Sequence, residues 1–512
     1  MNRKTGVILS FISIIFEVFS TLILTPYLIK TLGESEFGVY KMCLSIIAYV
    51  LLLDLGIGNA IIRFASAYRF NNDKNAENNL AGISLVFYVS ISFLSLIIGT
   101  VLMSAFPYLF SKGFSESEIV LGKKLIFITS ITASITLATS GFYNMIIAHE
   151  KFFVSKGVGS IQTVFKIILS IIVLKLGGGS IGVCFVNLLL TALTRFFYVF
   201  YAVRFLNIKP RFKKGNKNFV KEVMGYSALV AVQMIATQMN QSLDQILIGG
   251  LVENSSSILG IYAVGSQLNQ YFMSIGVAIT GVLMPGIVRV VEGGASREQL
   301  TKEVSRLSRL IFFPLIIAYC GFLVFGKPFI TIWTSDYYID AYYVAVILIT
   351  PQLLVSVLSP CCQVLWAKNR QKELTWTKLG IVIANCFLTI ALIGWNPLIG
   401  ASLGTLLSVM FGDVFVLLGL IKSKINISLS QYLLDVFPLP SIMMFAISCV
   451  FYRTSITVFP IKGWLSLFAF CFSFLIVSLF LNYCFCLNIE EKNMISKMLR
   501  KFKGLKNGKR ES

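Results

Sequence analysis

Charged side chains are scarce in this chain of 512 residues: Asp, Glu, Lys and Arg together make up 13% of it. A typical water-soluble domain carries about 25% charged residues. Too little polar surface remains to cover a particle in water, which excludes a soluble globular protein. Hydrophobic residues make up 56% of the sequence and the mean hydropathy is +0.81, so a polytopic membrane protein is the remaining class.

Metal-binding and redox motifs are also missing. The ten cysteines lie in apolar stretches without a CxxC pair, and the one histidine, His149, is expected to be a solvated residue at the end of a span. Neither a zinc site nor a disulfide framework is supported, and no nucleotide or metal motif occurs. The sequence therefore predicts no metal, no cofactor and no catalytic residue.

Acidic residues are few, since 23 Asp and Glu stand against 44 Lys and Arg, a formal charge of +21. In a soluble chain this excess would indicate nucleic acid as a partner. Here the basic residues lie mostly between apolar runs, as membrane topology requires, so nucleic acid is not expected.

Long apolar runs dominate instead, and a bilayer crossing needs about 20 such residues. Fourteen segments qualify: 6–30, 37–62, 79–105, 125–147, 158–175, 181–203, 224–251, 257–288, 308–330, 341–366, 377–395, 398–421, 436–453 and 464–486. If the N-terminus is cytoplasmic, the cytoplasmic segments and their flanks hold 33 Lys and Arg and the opposite side holds 9. Both termini are therefore predicted to be cytoplasmic.

The most polar internal stretch, Arg204 to Lys221, follows the first six apolar segments. A second group of six ends near residue 421, and two further segments follow it. Two six-helix units would have the same orientation in the membrane. A weak internal match, Phe37–Tyr40 with Leu259–Tyr262, supports a repeat. The predicted parts are an N-terminal six-helix lobe at 1–212, a C-terminal six-helix lobe at 213–421, two further helices at 422–486 and a basic cytoplasmic tail at 487–512.

Four sequence segments near the N-terminus point to a known family: Leu28–Gly33, Glu36–Tyr40, Leu53–Ala60 and Arg63-Phe64. This pattern resembles that of the oligosaccharide flippases of the O-antigen type, polysaccharide transporters whose superfamily also holds multidrug and toxin extruders and lipid II flippases. The resemblance implies an all-α polytopic membrane protein with about 14 transmembrane helices, two six-helix lobes around a central cavity and two C-terminal helices.

The resemblance also implies a function. Such a protein translocates an undecaprenyl-diphosphate-linked oligosaccharide across the bacterial cytoplasmic (inner) membrane by alternating access, for O-antigen, lipopolysaccharide, capsule or exopolysaccharide biosynthesis. Its partners would be the lipid-linked oligosaccharide, membrane lipids, and polysaccharide polymerase and chain-length proteins.

Cations inside predicted spans are candidate diphosphate ligands, because charged groups are costly in the bilayer and tend to mark cavities or pairs. Lys166 and Arg195 lie within spans five and six, and a guanidinium or ammonium can replace the water that a phosphate loses. Lys41 and Arg63, at the two ends of span two, would extend this basic path. Alternatively, Arg195 pairs with a carboxylate such as Asp54, and the lysines extend to an interface.

Three acids inside spans, Glu17, Asp54 and Asp244, are candidates for ion coupling or for structural pairing. A carboxylate in low dielectric can exchange a proton near neutrality, whereas a Glu17 pair with Lys or Arg would be structural. Asp54 precedes Gly56 and Gly58, which indicates either a hinge or close helix packing.

Amides mark two later spans. Span seven carries three on one helix face, Gln238, Gln241 and Gln245, and span eight adds Gln267 and Gln270. Together with Tyr262 and Tyr271 they suit sugar contacts, and amide pairing between helices is the competing interpretation.

Two other functions stay open. An ion-coupled multidrug exporter of the same superfamily would need an acidic, aromatic lining for organic cations. A membrane-embedded glycan polymerase or ligase would need a sizeable outside loop with clustered catalytic groups. The longest predicted outside loop, Phe106 to Lys124, has two acids and no histidine.

Overall fold

A computed structural model describes residues 3–212, 217–294, 296–368, 370–425, 427–457, 461–489 and 491–492. Within these ranges the chain is helical and contains no β-strand. The first eight helices are α1 (Arg3–Leu51), α2 (Ile57–Phe70), α3 (Lys74–Phe110), α4 (Glu116–Ala148), α5 (Phe152–Lys175), α6 (Gly179–Arg204), α7 (Lys217–Leu251) and α8 (Ser256–Glu292). The others are α9 (Arg297–Trp333), α10 (Ala341–Ala367), α11 (Gln371–Ile393), α12 (Pro397–Val409), α13 (Leu417–Leu420), α14 (Leu429–Val436), α15 (Pro438–Thr457) and α16 (Trp464–Leu481).

Short irregular helices extend some of these elements. They are the 3₁₀ turns Leu52–Asp54 and Asp336–Tyr338 and the π-helical segments Met410–Val416, Ile421–Ile425 and Asn482–Cys486. The predicted basic tail lies outside the described residues from residue 493 onwards.

Eleven helical stretches in the described chain are long and apolar enough to cross a membrane. One of them, Phe16–Phe70, has 55 residues, which exceeds the length needed for two crossings. Helix α1 bends inside it at Gly33, where φ is 77°. Helices α7 and α8, with 35 and 37 residues, are also long enough to cross. The described helices thus account for the fourteen predicted segments, and the all-α polytopic membrane fold is confirmed.

The chain forms two compact units. The first comprises residues 1–274, 343–351 and 370–417, and the second comprises 275–342, 352–369 and 418–512. In the first unit α3 packs on α4, α4 on α6, and α7 on α1 and α11. In the second, α9 packs on α14, α15 and α16. The boundaries of these units differ from residues 212 and 421, and the division into two six-helix lobes stays a prediction.

Several helix ends follow from local sequence. Ser115 caps α4 and Ser296 caps α9, each in a reciprocal capping box with the residue three positions later. Helix α12 begins with Asn396 as its cap and Pro397 in its first turn, where the missing N–H costs no hydrogen bond. These caps explain why the helices begin where the polar loops end.

The two segments of the weak internal match lie against each other in the first unit. A Cβ atom built on Gly38 would lie 1.7 Å from the carbonyl oxygen of Ser256 and 3.1 Å from the backbone nitrogen of Gly260. Phe37, beside this contact, is fully buried. Two helix backbones therefore touch at a place where only glycine fits, which is the small-residue packing expected between membrane helices.

Gly38→Ala should destabilise the folded protein by about 3 kcal/mol, the upper end of the cost of overpacking, because the opposing atom belongs to backbone and cannot rotate away. The measurement is thermal unfolding of the purified protein in detergent. Gly157→Ala is the matched control, since a Cβ on this helical glycine meets nothing within 4 Å. Equal unfolding temperatures for the two variants would contradict the packing argument.

Candidate functional site

The ammonium of Lys41 lies inside the first unit, in the second arm of α1. Its Nζ donates to Oε1 of Gln267 at 2.7 Å and lies 5.3 Å from the ring centroid of Phe37. Gln267 is 7% exposed, and its Nε2 donates to the hydroxyls of Thr25 at 2.9 Å and Tyr271 at 2.6 Å. A predicted diphosphate ligand and a predicted sugar ligand are therefore brought together in one hydrogen-bond network.

Lys166 on α5 is close enough to Lys41 for the two ammonium groups to repel each other. Glu17 on α1 offsets part of this repulsion, because its carboxylate attracts Lys166 and also interacts electrostatically with Tyr271. The side chain of Glu17 is exposed and that of Lys166 is half-buried. We call Lys41, Lys166, Gln267, Tyr271 and Glu17 the Lys41 cluster.

Arg195 on α6 lies among tyrosines. Its guanidinium carbon is 5.4 Å from the ring centroid of Tyr143, whose ring in turn lies 5.2 Å from that of Tyr198. Such stacking on an aromatic face is favourable for guanidinium. Its Nη1 is buried and has no hydrogen-bond partner in the described part of the chain. This nitrogen is a donor that lacks an acceptor.

The alternative pairing of Arg195 with Asp54 is not what the structure shows. Asp54 accepts a hydrogen bond of 2.5 Å from the hydroxyl of Tyr88, which itself accepts from Nδ2 of Asn144 at 3.2 Å. Arg63, the fourth predicted cation, is exposed on α2 and stacks on Phe64 at 5.8 Å.

The glycines after Asp54 have two separate roles. Gly56 takes a left-handed φ of 70° and, with Leu55 at 49°, separates the 3₁₀ turn from α2. Gly58 lies where a Cβ would come 2.7 Å from Nδ2 of Asn144. The backbone break corresponds to the predicted hinge position, and the second glycine permits close packing.

Asp244 on α7 is the most enclosed of the predicted acids, at 4% exposure. One carboxylate oxygen accepts from the hydroxyl of Thr389 at 3.1 Å, and the other accepts from Tyr262 at 2.5 Å and Thr405 at 2.6 Å. Asn385 adds bonds to both threonines. We call these five residues the Asp244 cluster. They come from helices α7, α8, α11 and α12, and the three side chains that donate to the carboxylate are hydroxyls.

The predicted amides separate into internal and accessible ones. Gln245 accepts from the hydroxyl of Ser45 and donates to that of Ser266 at 3.2 Å, so it joins helices. Gln238 donates to Ser242 within its own helix at 2.7 Å. Gln241 is half-buried and Gln270 is exposed. The pairing interpretation therefore holds for Gln245, and both interpretations remain open for the accessible amides.

Sequence patterns missed several partners. Thr389, Thr405 and Asn385 lie about 140 to 160 positions beyond Asp244, and the only sequence signal was polar residues inside apolar spans. The expectation of a solvated His149 is wrong, because its side chain is 11% exposed and is hydrogen-bonded to the buried Glu77. Glu77 lies 72 positions earlier on α3, so spacing could not reveal it.

Comparisons with known proteins identify the family of the chain. The profile described as "Polysaccharide biosynthesis protein" matches residues 4–291. No curated protein matches the sequence.

Solved structures share the fold. The lipid II flippase MurJ in an inward closed conformation is similar with a TM-score of 0.71 and 17% identity, over 94% of this chain and 98% of that one. An inward-facing multidrug resistance MATE family transporter of the MOP superfamily has a TM-score of 0.61 and 13% identity, over 80% of this chain and 96% of that one. The MATE multidrug transporter DinF-BH in complex with R6G has a TM-score of 0.63 and 15% identity, over 83% of this chain and 95% of that one.

The family profile covers more than half of the chain, and the resemblance found in its first 65 residues is confirmed. The chain is a multi-pass membrane protein with a transporter fold, and it belongs to the polysaccharide biosynthesis protein family.

Proposed function

We propose that this protein is a flippase for a lipid-linked oligosaccharide whose lipid carries a diphosphate, as in undecaprenyl-diphosphate carriers. The observation that carries the proposal is the buried Nη1 of Arg195, which has no acceptor within the described chain. A buried guanidinium nitrogen without an acceptor costs free energy, on the order of 1–3 kcal/mol. An anionic oxygen from a passing headgroup would supply the acceptor.

The Lys41 cluster supports the same cargo. Two ammonium groups that repel each other, with the exposed Glu17 as the carboxylate that acts on Lys166 among the described residues, favour an anion that can bridge both. A diphosphate has enough acceptor oxygens to do so. Organic cations would add to the repulsion, so the multidrug alternative is disfavoured by this site.

Sugar recognition is assigned to the predicted amides. Gln267 already joins Lys41 and Tyr271, and Gln238, Gln241 and Gln270 have side chains that are half-buried or exposed. Amide groups both donate and accept hydrogen bonds, as sugar hydroxyls require. We assign no specific sugar to them. Gln245 is assigned to helix packing.

The wider setting is part of the proposal. The protein would act by alternating access in the bacterial cytoplasmic (inner) membrane, with both termini cytoplasmic, and would have no enzymatic activity. Cargo would be a repeat unit for O-antigen, lipopolysaccharide, capsule or exopolysaccharide. Polysaccharide polymerase and chain-length proteins would act on the exported units.

Ion coupling is assigned to the Asp244 cluster. A carboxylate at 4% exposure, surrounded by three hydroxyl donors, is costly to keep charged without a compensating cation. A proton or a small metal cation would neutralise it, and the threonine oxygens are suitable hard ligands for the latter. Neutralisation would change the hydrogen bonds that join α7 to α11 and α12.

Arg195→Gln should reduce export of the lipid-linked glycan at least about tenfold, because one charge-assisted hydrogen bond contributes about 1.5–3 kcal/mol. The unfolding temperature should change little, since Nη1 has no hydrogen-bond partner among the described residues to lose. Export is measured as surface polysaccharide in a deletion strain that carries the variant. Arg204→Gln, an exposed cation on the same helix, is the control. Normal export by Arg195→Gln would refute the assigned role.

Lys166→Gln should weaken binding of an isoprenoid diphosphate to the purified protein by about tenfold, because one of two bridging cations is lost. Native mass spectrometry measures the bound fraction. Lys175→Gln, on the exposed last turn of the same helix, should bind like the unaltered protein. Unchanged binding to Lys166→Gln, or export of cationic dyes by the unaltered protein, would count against a diphosphate cargo.

Asp244→Asn should abolish the dependence of flipping on an imposed proton or sodium gradient, because the amide cannot gain or lose a charge. The measurement is flipping of a fluorescent lipid-linked glycan in proteoliposomes, with and without each gradient. Asp340→Asn, at an exposed helix start, is the control. If Asp244→Asn keeps the full gradient response, coupling lies elsewhere.

A further inference from the structure

The second unit contains a cavity of about 660 Å³ that the flippase proposal does not use. Three segments form its walls: the N-terminal part of α9, the short helix α14 and the residues that follow α16. Lys302, Ser305 and Arg306 line it from α9, and Asn488 and Ile489 line it from the chain after α16.

Arg309 forms the structural back wall of this cavity. Its Nε donates to Oε1 of Glu491 at 2.9 Å, Nη1 donates to the carbonyl of Asp435 at 2.7 Å, and Nη2 donates to the carbonyl of Cys486 at 2.5 Å. Arg309 is 8% exposed and Glu491 is 3% exposed. All three nitrogens of this guanidinium are hydrogen-bonded to the protein, and it holds the end of the described chain against α9 and α14.

The face of α9 that lines the cavity is different, because it offers a donor that the protein does not use. Ser305 is 3% exposed, and its hydroxyl has no hydrogen-bond partner within the described residues. Lys302 lies one turn before both Ser305 and Arg306, and all three side chains line the cavity. Arg306 is half-buried and reaches Glu303 at 3.2 Å.

The lining carries one more positive than negative group. Lys302, Arg306 and Arg309 are the positive groups, and Asp435 and Glu491 are the negative ones. Arg309 is paired with Glu491, and the half-buried Arg306 is paired with Glu303, which is not part of the lining. A hydroxyl, an ammonium and a guanidinium on one face are the donors that phosphate oxygens accept from.

Apolar side chains beside the cavity point to a lipid as the source of that phosphate. Ile489 is 78% exposed at its rim, and Leu434 on α14 is 72% exposed. Helix α14 is short and amphipathic, which is typical of an element that lies in a membrane interface. A headgroup in the cavity would place its acyl chains beside these residues.

We propose that this cavity is a binding site for a phosphate group, presented by an anionic phospholipid headgroup and held by Lys302, Ser305 and Arg306. The same chemistry could be supplied by a free phosphate ion. Because Arg309 ties the same segments together, an occupied site would stabilise the packing of α9, α14 and the chain after α16.

The test uses the full chain, purified in a neutral detergent, with its thermal unfolding followed during titration of phosphatidylglycerol, of zwitterionic phosphatidylcholine and of sodium phosphate. Phosphatidylglycerol should raise the unfolding temperature in a saturable way, and phosphatidylcholine should not. The double variant Lys302→Gln, Arg306→Gln should need at least about tenfold more phosphatidylglycerol for half of the effect.

Arg370→Gln is the matched control, because Arg370, like Arg306, is a partly exposed arginine paired at 3.2 Å with a glutamate three positions away. Ser305→Ala gives an independent readout. Without lipid its unfolding temperature should be equal or higher, since a buried hydroxyl without a partner is removed, and its response to phosphatidylglycerol should be weaker.

A saturable effect of sodium phosphate alone, lost in the double variant, would support the phosphate site and assign it to a free ion. The proposal is overturned if the double variant and Ser305→Ala respond to phosphatidylglycerol and sodium phosphate like the unaltered protein, or if phosphatidylcholine is equally effective. These outcomes are independent of glycan export, because none of the altered residues belongs to the Lys41 cluster or to Arg195.

Discussion

Charged side chains enclosed by apolar helices must be compensated, and the ways in which this chain compensates them organise its polar interior. Each of the three nitrogens of Arg309 donates to a glutamate or to a backbone carbonyl, whereas Asp244 relies on three hydroxyls. Arg195 is different, because a tyrosine ring covers it and one nitrogen has no acceptor among the residues that the structure describes. The cost of leaving a buried charge incompletely paired is the physical reason to assign Arg195 to a mobile anionic partner rather than to the fold.

Hydrogen bonds between helices hold the first unit together where apolar packing alone would be weakly specific. In a bilayer, lipid tails are as apolar as leucine, so polar side chains and close backbone contacts determine which helices pair. Gln245 connects α7 to α1 and α8 through two serines, and Gly38 brings α1 against the start of α8. Amides of the kind that suit sugar contacts therefore also join helices. The buried Gln245 has this structural use, whereas Gln241 is half-buried and Gln270 is exposed.

The shared fold does not determine the cargo. MurJ and the MATE transporters have this architecture at 13% to 17% identity, and function on a common fold depends on the chemistry of its sites. In this chain the enclosed groups of the first unit include two neighbouring lysines and an incompletely paired arginine. A site with those charges favours an anionic headgroup over an organic cation.

Composition and apolar periodicity alone determined the membrane class, the helical fold and the number and order of the spans, because each crossing requires about 20 apolar residues wherever it packs. The sequence also identified Lys41, Lys166, Arg195 and Asp244 as unusual, since charge inside a span is costly at any position. Only the tertiary structure decided their partners. Lys41 meets Gln267 226 positions away, and Asp413, in the π-helical segment Met410–Val416, accepts a hydrogen bond of 2.5 Å from Nζ of Lys378. Such contacts depend on which helix faces meet, and spacing along one chain does not contain that information.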